Sequence, residues 1–155
     1  MTLQDWGAIG ELLGGIAVVA SVLYLAIQIR HGLQGYQSNI TQQITSHFSL
    51  LQLEIAKDAG LFTAWTKAQR GEPLSEDESA RVLQIVSSYL IGFENMYYQY
   101  RQGMLEENAW RARRNVIANL IKIPGTDAWW SEFGTRQFPA DFVQEVESIK
   151  REFTD

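Results

Sequence analysis

Between Ala8 and Ile29 the chain reads AIGELLGGIAVVASVLYLAIQI, with Glu11 as the only charge. Coiled as an α-helix this run extends about 33 Å, enough to cross the hydrocarbon core of a bilayer. The soluble alternative is a helix buried at the centre of a bundle, because a helix apolar all round has no stable place facing water. A cleaved secretory signal would carry a basic start, a shorter apolar run and a small-residue cleavage site, whereas Thr2-Leu3-Gln4-Asp5 is uncharged to acidic. The pattern therefore predicts an uncleaved anchoring helix within residues 1–31 and a soluble domain over residues 32–155. Asp5 precedes the span while Arg30 and His31 follow it, which by the positive-inside rule places the C-terminal domain in the cytoplasm.

Small residues Gly7, Gly10, Gly14, Ala17 and Ser21 recur along the span at intervals of three and four, so they share one strip and let a second backbone approach closely. Self-association through this strip is the reading adopted. Glu11 has two readings. A carboxylate in the first turns is favoured by the free amides and the helix dipole, and several copies around an oligomer axis would form an acidic, pore-lining ring.

Beyond a break expected at Gly32 and Gly35, the spacing of Ile40, Ile44, Phe48, Leu51 and Ile55 predicts an amphipathic helix up to Asp58-Ala59-Gly60. A shorter helix follows from Leu61 to Gln69, ended by Arg70-Gly71 and the turn at Glu72-Pro73. Ser75 with Glu78 has the spacing of a capping box and opens a long helix. Its apolar positions, from Leu83 through Leu90 and Phe93 to Met104, cover so much of its girth that it should be the central helix, stopped at Gly103. Glu106-Glu107 opens the next helix, Thr126 and Asp127 a short one holding Trp129, Trp130 and Phe133, and Pro139 the last, with Phe142, Val146, Ile149 and Phe153 on one stripe. The expected fold class is all-α: one N-terminal transmembrane helix followed by a cytoplasmic helical bundle.

Composition removes several kinds of chemistry. Without cysteine there is no disulfide, thiolate nucleophile or Cys-bound metal. A net charge of −5 and a pI near 5.0 are opposite to the basic footprint of a nucleic-acid binder. His31 and His47 lie far apart, neither three residues after a Glu, so the pairing used by di-iron bundles is missing and no metal or cofactor is expected. Phosphate loops and nucleophile elbows are absent too.

Three groups remain as candidates. Glu94 lies mid-helix among apolar residues with Tyr97, Tyr98 and Arg101 nearby, and burying a carboxylate calls for a partner. The set reads either as a structural ion pair or as a ligand-binding or proton-handling site. Arg111, Arg113 and Arg114 could hold anionic lipid head groups at a cytoplasmic leaflet, or pair with acids on a solvated face. Trp129-Trp130 reads as an interfacial anchor or, more simply, as core packing.

LQDWGAIGELLGGIAVV from Leu3, YLAIQIR from Tyr24, FENMYYQYRQG from Phe93 and Pro-Gly-x-x-x-Trp-Trp from Pro124 resemble a family of small bacterial single-pass membrane proteins with a C-terminal helical domain. The resemblance covers most of the chain. It implies a bacterial source and a recurring design of one membrane helix plus a helical domain, and it brings no activity, cofactor or catalytic residue; for a single-pass protein of such a source the expected location is the inner membrane. The expectation is a non-enzymatic protein whose partners are the lipid bilayer and further copies of itself, as a scaffold or pore-like homo-oligomer. The alternatives are an accessory subunit packed against another membrane protein, and a membrane-tethered sensor or enzyme using Glu94.

Overall fold

Local start and stop signals explain several element boundaries in the computed structural model, which describes the backbone of residues 3–154 and the side-chain surroundings of residues 11, 13–31, 39–40 and 42–153. Among the described residues all regular structure is helical. By its internal contacts the chain divides into two compact units, Met1–Ile40 and Thr41–Asp155.

Helix α1, Leu3–Lys57, supplies the whole regular structure of the first unit and continues into the second. The break expected at Gly32 and Gly35 does not occur, and the division between units falls after Ile40 rather than after His31. A glycine inside a helix costs about 1 kcal/mol against alanine, which weakens the helix without ending it. Ending it takes a lost backbone donor or a left-handed residue, and no proline stands near. Among the described residues, 13–31 form the one stretch long and apolar enough to cross a membrane, and none of them is buried.

In the second unit, Asp58 accepts from the Leu61 amide at 2.9 Å and so caps α2, Ala59–Gln69. The expected capping box opens α3, Glu76–Arg101: the Glu78 amide donates to Ser75 Oγ at 3.2 Å and the Ser75 amide to Glu78 Oε2 at 2.8 Å. Helix α3 is central, as its girth of apolar residues requires. It packs on α2, α4 and the short helix α5, and buries Val86, Leu90 and Phe93 almost completely. Gly103, at φ 71°, provides the left-handed stop.

Helix α4, Glu107–Ile121, buries Trp110, Ile117 and Leu120, and packs on the last helix, α7, Ala140–Thr154, whose Phe142, Val146 and Ile149 make the expected stripe. Between them lie α5, Thr126–Trp129, a π-helical turn, Trp130–Gly134, and α6, Thr135–Gln137. The π turn was not visible in the sequence. Within it Trp130 is fully buried, and its ring lies where a Cβ on Gly134 would have to go, so the turn requires glycine at that position. Full burial of side chains such as Trp130, Phe93 and Phe142 contributes roughly 1.5–3 kcal/mol each.

Candidate functional site

The second unit holds a cleft of about 1110 Å³ walled by α1, α2 and α4 and floored by α3. The residues of α1 that face it fall on two adjacent stripes of one helix face. Ile44, Phe48 and Ile55 supply the apolar stripe, while Thr45, Ser49, Gln52 and Ala56 supply a small and polar one. Helix α2 adds Phe62 and Trp65, α3 adds Tyr89 and Phe93, and α4 adds Val116 and Leu120.

Aromatic rings line the floor in contact with one another. Phe48 stacks on Tyr89 at 5.6 Å between centroids and leans on Phe93 at 5.0 Å, and Trp65 stacks on Tyr89 at 5.8 Å. The approach of Phe48 depends on Gly92, since a Cβ there would lie 2.8 Å from Phe48 Cζ and 3.0 Å from His47 Cδ2. A glycine in the middle of the central helix is a mark the sequence carried and the pattern reading passed over.

The charges along this cleft all have one sign. Arg70, Arg113 and Lys122 line it, and no aspartate or glutamate does, in a chain that has 18 acids and 13 Lys and Arg. Arg70 stands 3.7 Å from Glu72, whereas Arg113 and Lys122 have no acidic partner among the described residues. Most other cations of this unit are paired, Arg81 with Asp77, Arg101 with Asp141, Arg111 with Glu107 and Arg114 with Glu145 and Glu152. Such a cleft offers apolar burial, neutral hydrogen-bonding groups and cations. The lining contains neither a carboxylate nor a histidine for general acid–base work.

The residues singled out from the sequence are distributed differently from that cleft. Arg101 donates to Asp141 at 2.6 Å and lies 5.9 Å from the centre of the Tyr97 ring. Tyr97 packs on Trp110 and Phe142, while Tyr98 is exposed. Glu94 is half-buried on α3 and lines neither this cleft nor a smaller hollow of about 300 Å³ beside α4. Burial, with Asp141 as a second cause, raises the Glu94 carboxyl above its ordinary value. Burial also raises the Tyr97 hydroxyl, as does Glu145.

The arginine triplet is divided between two faces of α4. Arg111 and Arg114 line the smaller hollow with Trp110 and Glu145, and Arg113 faces the larger one. Arg114 Nε is 3.0 Å from Glu145 Oε1, close as an ion pair but without hydrogen-bond alignment. Trp130 is core, donating from Nε1 to Glu147 at 2.8 Å, so the simpler reading of the tryptophan pair holds for it. Lys150 reaches Asp127 at 2.7 Å. Burial lowers its ammonium, and the hydrogen bond to Asp127 with the charge of Glu147 outweighs this and raises it. Among the described residues no three His, Asp or Glu side chains are grouped to hold a metal ion.

On the first unit, Glu11 is exposed, and a Cβ on Gly14 or Gly15 would meet nothing within 4 Å. Ser21 Oγ donates to the Ala17 carbonyl at 2.8 Å, and Gln28 Nε2 to Tyr24 Oη at 2.8 Å, so both polar side chains are satisfied along the helix itself. Gly7 and Gly10 lie outside the residues whose surroundings are described.

Among the described residues, fold and site together define an all-helical protein with one helix apolar enough to span a membrane and a second unit bearing an aromatic, cation-lined cleft. No family model, curated protein or solved structure matches the chain.

Proposed function

We propose that the protein is a non-enzymatic, single-pass membrane protein of the bacterial inner membrane, with its C-terminal unit in the cytoplasm, that assembles with copies of itself through the strip Gly7, Gly10, Gly14, Ala17 and Ser21. The observation that carries the reading is that residues 13–31 are exposed along their whole length, with Leu13, Val19, Leu23 and Ile29 all about three-fifths accessible. A helix of this composition needs lipid or protein around it.

Gly14 and Gly15 support the self-association half of the reading. Each weakens the helix by about 1 kcal/mol relative to alanine, and neither makes room for a neighbour among the described residues. Their smallness serves a close approach from outside, as small-residue strips do between membrane helices.

The test is native mass spectrometry of the full chain, expressed alone and released in its own lipid. The expected result is one discrete homo-oligomer that Gly14→Ile reduces to monomer by placing a branched side chain on the strip. A monomeric wild type, or a complex held by a different protein, overturns self-assembly and leaves the accessory-subunit reading.

A further inference from the structure

The cleft of the second unit is unused by the assembly just proposed, and its lining is selective. Its floor and much of its walls are apolar and aromatic, and each formal charge along it is positive. We propose that it binds a long-chain fatty acid as the carboxylate, with the chain against Phe48, Trp65 and Tyr89 and the head among Arg70, Arg113 and Lys122.

Charge complementarity selects this occupant. Cations on a protein with net charge −5 are ordinarily consumed by nearby acids, as Arg101, Arg111 and Arg114 are here. Arg113 and Lys122 have no such partner among the described residues and line the same cleft, so at these two cations an incoming anion has no carboxylate to compete with; Glu72 stands only beside Arg70. A wholly apolar guest would leave them without a role, and a small hydrophilic anion would leave the rings without one.

An acyl carboxylate matches both halves, since each methylene moved out of water adds to affinity while the head finds a charge-assisted contact. Size agrees as well. At about 1110 Å³ the cleft is slightly above the roughly 300–1,000 Å³ usual for small-molecule sites, room for an extended single chain. The neutral polar groups of Gln52, Gln69 and Asn119 offer further hydrogen bonds to the head.

Trp65 makes the proposal measurable, because bromine atoms on a bound chain quench a tryptophan they touch. The full-length protein, held in a nonionic maltoside detergent, is titrated with dibrominated stearate and, separately, with its methyl ester. Expected is a saturable loss of emission with stearate, affinity about tenfold weaker for the ester, and disappearance of most of the saturable loss in Trp65→Phe. The double variant Arg113→Glu/Lys122→Glu should weaken stearate about tenfold and leave the ester unchanged.

Native mass spectrometry counting stearate adducts on wild type and double variant reads the same affinity without relying on Trp65. Far-UV circular dichroism establishes that each variant is folded. Quenching that never saturates, that survives Trp65→Phe, or that is equally strong for the ester overturns the proposal. So does stearate excluded by a partner helix seated in the cleft. None of these readings depends on the copy number of the assembly.

Discussion

Glu94 shows how a single residue can be conspicuous in sequence and still be placed by parts of the chain that local spacing does not reach. The nearby cation, Arg101, is on the same helix, but its guanidinium is held by Asp141 of α7 at 2.6 Å. Asp141 then adds to the effect of burial, and the Glu94 carboxyl is raised. A carboxyl raised in the folded state holds its proton more tightly there than in the unfolded chain, so stability falls as pH rises from the ordinary glutamate value through the raised one. Glu94→Gln should therefore raise the melting midpoint at pH 7, and the advantage should shrink to nothing as pH falls below about 4, where both chains carry a neutral side chain. A difference independent of pH would show that charge is not the cause. Glu78 has the opposite sign: the hydrogen bond from Lys67, followed by that from the Ser75 amide, lowers its carboxyl. What Glu78 contributes is present above the ordinary value and is lost as pH falls.

At the scale of elements, the contact of α1 with α3 depends on Gly92, where Phe48 and His47 come close to the helix backbone. Replacing glycine by valine gains only a few tenths of a kcal/mol of helix propensity, whereas forcing a branched side chain against a packed ring costs about 1–3 kcal/mol. The clash wins, and Gly92→Val should lower the thermal midpoint and shift the near-ultraviolet aromatic signal of the Phe48, Tyr89 and Trp65 group. An unchanged signal would mean that α1 does not need this approach. The helices themselves were legible because their signals are local: the Ser75/Glu78 box, the left-handed Gly103, and the three-and-four spacing of α3 and α7. The cleft was not. Its lining comes from four helices, and on each of them those residues read as an ordinary apolar face with a cation at its edge. Arg113 was grouped with Arg111 and Arg114 by adjacency, although successive residues on a helix point about 100° apart and the three divide between two hollows.

At the scale of the whole molecule, the decisive question is what surrounds residues 13–31. Hydropathy over a window is a property of the sequence alone, so a run long and apolar enough to span a membrane was readable without a structure, and none of these residues is buried. Left in water, the run would expose Ile16, Val19, Leu23 and Ile27, which share one helix face at spacings of three and four, a contiguous apolar surface of the kind soluble monomers avoid. If lipid covers it, a single charge at its centre has a defined penalty, about 2.5–3.5 kcal/mol for arginine at the middle of an inserting helix. Leu23→Arg should then move much of the protein from the alkali-resistant membrane pellet to the extractable fraction. Leu50→Arg, an equally exposed leucine outside the span, should leave it in the pellet. Wild-type protein released by alkali would remove the anchor altogether and assign the apolar helix to a protein partner, because the exposed run must be covered by one or the other.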